Sequence, residues 1–356
     1  LEIHAVARRS LTRRLVLGGA AAAALVAGAW LVVGHLDRAR LERPIPSSAL
    51  PAVVVIEPGS SLTAIANDLA GAGLLEHPGS WVRQARREGV AARVHAGEYL
   101  VPAGATPRAV LDLLVAGQVR LHSVTLVEGW TYRQALAALL AHPAVVATLT
   151  EVTDESVREA VGLGQLHPEG QFFPDTYLFA RGTREVDLLR QAHERLSREL
   201  ALAWDRRRTD LPLASPYEAL ILASIVEKET GVAGERPLIA GVFANRLRRG
   251  MRLQTDPTVI YGLGETFDGN LRKADLQRDT AYNTYTRAGL PPTPIALVGR
   301  EALEAAVQPA DTEALYFVAT GRGDGRHYFS RTLAEHNDNV ARYLATLRGA
   351  TEEGPP

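Results

Sequence analysis

The sequence predicts an α+β protein in three parts. These are an N-terminal transmembrane helix, a small strand–helix–helix–strand subdomain, and a larger, mostly helical domain with a small β component. Three observations carry this. Residues 15–33 are uncharged and apolar. Residues 52–122 hold short strand runs separated by turn and cap signals. From residue 131 onward, long segments keep a helical period. The 356 residues are 46% hydrophobic and 22% charged, enough for one large domain or several smaller ones. A net charge of −1 makes no electrostatic case for nucleic acid. The absence of cysteine excludes disulfides and thiolate metal sites. The ten histidines show no HExxH or paired spacing, so no metal or cofactor is expected.

The first element is LVLGGAAAAALVAGAWLVV, residues 15–33. As a helix it rises about 28 Å, close to the roughly 30 Å of a bilayer core. Arg8, Arg9, Arg13 and Arg14 precede it, and a weaker positive excess follows. The positive-inside rule then places residues 1–14 in the cytoplasm and the rest outside, anchored once in the inner (plasma) membrane. A cleaved signal peptide is the rival reading, with AGA at 27–29 as its site. The length of the run and the interfacial Trp30 favour the uncleaved anchor.

Residues 34–51 read as a linker, and the prolines and serines of LERPIPSSALPA (41–52) suggest an extended spacer. AVVVIE (52–57) reads as a strand. Ser61 caps a helix with Leu62, Ile65, Ala66 and Leu69 on one face. Ser80 opens another helix, GEYLV (97–101) returns as a strand, and Thr106–Pro107 opens a third helix. This order, with its PGSSLTAIA opening, resembles the LysM fold over 52–122. The resemblance implies a module that contacts cell-wall glycans, although a fold alone does not fix a function.

The large domain spans 123–350, with LHSVTLVEGW (121–130) as a strand at its entry. Helices are expected at 131–141, 151–163, 184–208, 216–230, 235–249 and 300–307. ALYFVA and HYFS, flanking TGRGDGR, read as a hairpin. TLAE (332–335) is a capping box for the last helix, and TEEGPP (351–356) reads as a disordered tail.

The chemistry-bearing stretch is LASIVEKETG, 222–231. SPYE (215–218) is a strong helix start, Ala219 to Val226 are almost all apolar, and Gly231 is a stop. Glu227 and Glu229 therefore sit in the last turn of a buried helix. The helix dipole there disfavours a carboxylate, and burial disfavours it further, so both effects keep the proton on. A carboxyl protonated near neutral pH is what a general acid needs. The two glutamates lie about 200° apart around the helix and face different surroundings. Glu229, nearer the end, is the candidate to enter a cleft. Glu227 is the candidate to be held against a basic partner.

Gln254, Thr255, Asp256, Tyr261, Asn283, Tyr285 and Glu169 are candidates to grip substrate, because they join aromatic faces to amides and carboxylates. Such a mixture suits sugar rings, and it equally suits a core with satisfied polar groups. An ordinary glycosidase needs a second carboxylate across the bond, which could come from elsewhere in the chain, for example Asp256, Glu169 or Asp175. Otherwise the substrate brings its own nucleophile. A wall-binding scaffold without chemistry is the third alternative.

ASIVEKET, ANRLRRGMRLQTDPTVIYGLG, AYNTYTRAGLPPTPI, EGQFFPDTY and FSRTLAEHN together resemble the YceG-like family of endolytic murein transglycosylases. The resemblance covers 169–337, and the anchor and small module agree with the family's layout. It implies an inner-membrane enzyme that cuts nascent peptidoglycan strands between N-acetylmuramic acid and N-acetylglucosamine. It implies a 1,6-anhydro product and termination of strand growth. It places the catalytic glutamate on Glu229, and it suggests proximity to the peptidoglycan synthases.

Overall fold

The structure, a computed structural model, describes residues 2–352. The chain forms two compact units, one of residues 1–122 with 180–182 and one of 123–179 with 183–356.

In the first unit, α1 (Glu2–Leu41) continues well beyond the uncharged run. Over Ala20–Leu41 it is long and apolar enough to cross a membrane. Leu25, Val26, Trp30 and Leu31 are exposed on it. Strand β1 (Ala52–Ile56) pairs antiparallel with β2 (Gly97–Val101), with Ala52 opposite Val101. Between them lie α2 (Leu62–Gly71) and α3 (Pro78–Arg87), and α4 (Pro107–Val115) follows. Ser61 and Thr106 cap α2 and α4, as their sequence positions predict. Trp81 is fully buried, and its indole N–H donates to the Pro107 carbonyl at 3.1 Å.

Two expectations are corrected in this unit. The 41–52 stretch is not a free spacer at its start. Leu41 and Ile45 are buried in the small core, and the Ile45 amide donates to the Ala105 carbonyl at 2.9 Å. Pro44 and Pro46 stop the helix, but their neighbours still have apolar surface to bury. Ser80 is not a cap either. Pro78 opens α3, and the Ser80 hydroxyl is buried, accepting from Arg83 at 3.2 Å and Arg40 at 3.4 Å.

In the second unit, β3 (Leu121–Thr125), which belongs to it from Ser123 on, pairs with β5 (Thr176–Ala180), which belongs to it as far as Phe179, and β4 (Val145–Val146) runs parallel to β6 (Thr183–Arg184). Helices α5 (Tyr132–Leu140), α6 (Asp154–Val161) and α7 (Glu185–Asp205) accompany them. Then come α8 (Pro216–Glu229), α9 (Arg236–Arg248), α10 (Asp256–Leu263), α11 (Lys273–Gln277) and α12 (Arg300–Val307). The hairpin β7 (Tyr316–Ala319) and β8 (His327–Ser330) is antiparallel, and α13 (Leu333–Glu352) ends the described chain. Thr332 and Glu335 form its reciprocal cap. The helix takes in the first two residues of the tail expected at 351–356, and residues 353–356 lie outside the described residues.

Helix α8 is the centre of this unit. Every residue from Ala219 to Val226 is buried. A run that is apolar but for Ser224 must be covered on all sides, and α7, α9, α10 and α12 pack against it. Gly241 shows how tight α9 is. A Cβ there would stand 2.7 Å from the Ala310 carbonyl oxygen and 2.8 Å from the Thr312 methyl. Helix propensity alone would reward Gly241→Ala by about 1 kcal/mol. The close approach reverses the sign, and the variant should lose about 1–3 kcal/mol in denaturant unfolding of the full chain. A gain in stability would show that this contact is not tight.

Candidate active site

The site grows from the end of α8. Its last residue is Glu229, and Thr230 turns the chain into extended backbone. The 200° offset delivers the two glutamates to different surroundings. Glu227 turns inward with a side chain only 5% exposed. Its Oε2 accepts from the Gly299 amide at 3.0 Å, at the head of α12. Its Oε1 faces Arg236 at 3.4 Å, and Arg236 also pairs with Glu301. Burial raises the Glu227 carboxyl and the neighbouring Glu128 charge adds to this, while the Gly299 amide and Arg236 oppose it. Glu227 thus ties α8 to α9 and α12.

Glu229, partly buried, accepts a short hydrogen bond from the Thr255 hydroxyl. Burial pushes its carboxyl up to about 7. The Thr255 bond opposes this, the Asp256 charge reinforces it, and Arg246 opposes it. A carboxyl poised there can hold a proton at neutral pH and release it within the same reaction.

The loop before α10 sets this contact. Gln254 has φ +50°, in the left-handed region, where a residue with a side chain carries about 1–2 kcal/mol of strain. Its amide donates to the Thr284 carbonyl at 3.1 Å. The Thr255 amide donates to the Thr284 hydroxyl at 3.1 Å, and Thr258 and Thr284 share a hydrogen bond of 2.9 Å. Asp256 is not the cap that its place before a proline suggests. Thr255 is the N-cap residue, and its hydroxyl serves Glu229 instead of the helix. Asp256 is exposed, and its Oδ1 accepts from the Tyr285 hydroxyl at 2.5 Å.

A second group assembles around Glu169, which is 1% exposed. Its Oε1 accepts from the Tyr132 amide at 3.0 Å and the Gly170 amide at 3.2 Å. Burial pushes this carboxyl up to about 7 as well, against the two amides and the Tyr261 hydroxyl and with help from Asp154. Glu169 and Tyr261 line a cleft of about 790 Å³ with Tyr132, His167, Tyr282 and Lys228. The Lys228 ammonium donates to the Gly129 carbonyl at 3.2 Å. Glu229 is not among the residues lining that cleft, and α10 connects the two places, with Thr255 and Asp256 at one end and Tyr261 further along.

The sequence candidates therefore separate. Glu229, Thr255, Asp256 and Tyr285 form one cluster, with Gln254 in its supporting loop, and Glu169 and Tyr261 form another. Asn283 belongs to neither surface. It is fully buried, its amide nitrogen donates towards the carbonyls of Asp275, Leu276 and Arg278, and its Oδ1 accepts from the Tyr285 amide. It shapes the loop that carries Tyr285. Asp175 pairs with Arg195. Arg246, Thr258, Thr284 and Tyr132 were not singled out from sequence. Arg246 is buried, donates to the Leu315 and Leu253 carbonyls, and stands over the Tyr316 ring at 5.1 Å. One arginine among four in NRLRRGMR carries no sequence signal of its own.

Two titrations check these environments. Infrared titration with labelled glutamate should find carboxyls changing near pH 7. Thr255→Val should move the Glu229 midpoint up by about one pH unit, because a hydrogen bond that favours the charged form is gone. An unmoved midpoint would show that the hydroxyl does not hold the carboxylate. Glu169 keeps its proton to about 7 when folded and would lose it near the ordinary 4.5 when unfolded. Its contribution to stability is therefore fully present below about 4.5 and is lost as pH rises through about 7. Glu169→Gln should flatten that decline in unfolding curves taken from pH 4.5 to 8. A wild-type slope in the variant would contradict this.

Comparison with known proteins agrees with this architecture. The YceG-like family model matches residues 54–342. An endolytic murein transglycosylase of Bacillus subtilis is 31% identical over 82% of this chain and 84% of its own length. One from Streptococcus pneumoniae is 32% identical over 49% of this chain and 32% of its own. A crystal structure of a yceG-like protein from Listeria monocytogenes superposes with a TM-score of 0.51 at 29% identity, covering 81% of this chain and 98% of that one. The match over most of the chain, together with the paired glutamates closing a buried helix, shows that this chain belongs to the YceG-like family.

Proposed function

We propose that this chain is an endolytic lytic transglycosylase of peptidoglycan, with Glu229 as its single acid and base. The carrying observation is the Glu229 carboxyl. It closes a buried helix, is held by Thr255, and is pushed up to about 7. Family membership and relatives named endolytic murein transglycosylase support the substrate class.

In the proposed reaction, protonated Glu229 gives its proton to the glycosidic oxygen between N-acetylmuramic acid and N-acetylglucosamine. The bond from that oxygen to the anomeric carbon breaks, and positive charge develops on the sugar ring. Asp256, positioned by the Tyr285 hydroxyl, lends negative charge beside it. Glu229, now a carboxylate, takes the proton from the sugar's own 6-hydroxyl. That oxygen closes on the anomeric carbon and gives the 1,6-anhydro end. No water is consumed, and the internal nucleophile gains from proximity. Glu229 ends with its proton restored.

Tyr261 and Tyr282, 4.8 Å apart by ring centroids, offer apolar faces to sugar rings in the cleft, and Glu169 offers a hydrogen-bonding carboxyl beside them. The strand would run along α10 from that cleft to Glu229. Thr255 acts through Glu229, and Gln254 supports the loop. The chain is anchored by α1 as a single pass, with its N-terminus in the cytoplasm and both units outside, close to the peptidoglycan synthases. The β1–α2–α3–β2 order supports a LysM-like module that adds contact with the wall.

Glu229→Gln should lower cleavage of purified peptidoglycan by at least about 10²–10³-fold while leaving the unfolding curve in place. Mass spectrometry of wild-type products should show anhydro ends, lighter by one water than reducing ends. Reducing ends would instead identify a hydrolase with a second carboxylate. Unaltered cleavage by the Gln variant would remove Glu229 from the mechanism.

A further inference from the structure

The small unit is built onto the last turns of α1, and the contacts follow a strict order. The Arg87 guanidinium stands 5.3 Å from the centroid of the Trp30 ring. Gly34 lies one turn further along beside the same guanidinium, a Cβ there standing 3.6 Å from the Arg87 nitrogen, an ordinary contact. Arg87 and Arg83 both bind the fully buried Asp37, at 3.0 and 2.8 Å. Arg40 donates to Ser80 at 3.4 Å. Moving along α1 from 30 to 40, the partners on α3 descend from 87 to 80. Helix α3 therefore runs antiparallel to α1 and points its C-terminal end back toward the apolar segment.

That end is basic. Arg86 and Arg87 lie in its last turn. Asp37 can neutralise only one of Arg83 and Arg87. Arg86 is exposed and has no ion-pair partner among the described residues, and Glu88 is already held by Arg108. Trp30, 61% exposed near the close of the uncharged run, is the type of residue that settles at the membrane–water boundary. The headgroup layer is roughly 5–7 Å deep on each side of the hydrocarbon. With the uncharged run 15–33 spanning the hydrocarbon, a guanidinium beside Trp30 falls within it.

We infer that the C-terminal end of α3, through Arg86 and Arg87, docks on an anionic phospholipid surface where α1 leaves the bilayer. This rests on the proposal that α1 spans a membrane. Two features carry it: charge complementarity, and the continuity of the basic end with the apolar helix. Because Asp37 and Leu41 lock α1 into the unit, the anchor holds the module in a set orientation at the headgroups and is not a swivel.

The test uses the full chain in lipid nanodiscs of equal phosphatidylcholine and phosphatidylglycerol, with one lipid at a time carrying brominated acyl chains that quench tryptophan. Of the four tryptophans, Trp30 is exposed on α1, Trp81 is fully buried, and Trp130 and Trp204 belong to the second unit. Brominated phosphatidylglycerol should quench roughly two- to fivefold more than brominated phosphatidylcholine, the enrichment a surface arginine gives. Arg86→Glu should bring the ratio close to one. Equal quenching by both lipids in the wild type overturns the inference while leaving the membrane span in place. A preference that survives Arg86→Glu also overturns it, by moving the lipid contact away from α3. No quenching by either lipid overturns the span and the inference with it.

Discussion

Desolvation of one carboxyl at the end of α8 is the constraint on which the rest of the second unit depends. A glutamate at a helix C-terminus in water would be an ordinary acid. Eight consecutive buried residues lead to Glu229, and four helices hold that run in place. The packing raises the carboxyl, and it also fixes where the carboxyl stands. Core packing and the proposed acid–base chemistry are therefore the same physical fact read at two points of one helix. A looser core would blur both the position and the proton affinity.

Neighbours then restrain what burial begins. Unopposed desolvation would raise the carboxyl further, away from the range suited to a group proposed to act as both acid and base. The Thr255 hydroxyl and Arg246 favour the charged form and hold the carboxyl to about 7. Thr255 can do this only because Thr284 and Thr258 fix its backbone and Gln254 accepts a left-handed conformation ahead of it. Strain in that loop is offset by the hydrogen bonds across it.

Much of this was legible in the sequence, for physical reasons. Caps and periodicity act locally, so the helix starts at Ser61, Thr106 and Ser215 and the 316–330 hairpin are found where expected. The separation of Glu227 and Glu229 follows from 100° per residue, and the place of Glu229 nearer the helix end points to which of the two leaves the core. What was not legible depends on contacts distant in sequence. Asn283 reads as a sugar ligand beside two tyrosines, yet it serves carbonyls from 275 to 278 that no local pattern marks. The Thr255 hydroxyl reads as a loop group, and its partner is 26 residues away. The 41–52 segment reads as a spacer from its prolines, while the core that buries Leu41 and Ile45 is assembled from residues up to 114.

Glu169, buried, and Glu229, partly buried, are both pushed up to about 7, and they differ in what ionising costs. Glu169 accepts two backbone amides at its Oε1, so charge on it would be partly satisfied by groups already in place. Glu229 accepts one hydroxyl, with Arg246 favouring its charged form and the exposed Asp256 opposing it. Ionising Glu229 puts two negative charges beside each other, and the system relaxes when positive charge arrives between them or when the proton returns. In the proposed reaction a sugar ring that becomes cationic as its bond breaks would provide the first, and a 6-hydroxyl that gives up its proton would provide the second. In the proposed reaction the like-charge conflict between Glu229 and Asp256 would be destabilising in the carboxylate form and complementary to the transition state, the direction in which a site must be biased to favour reaction over binding.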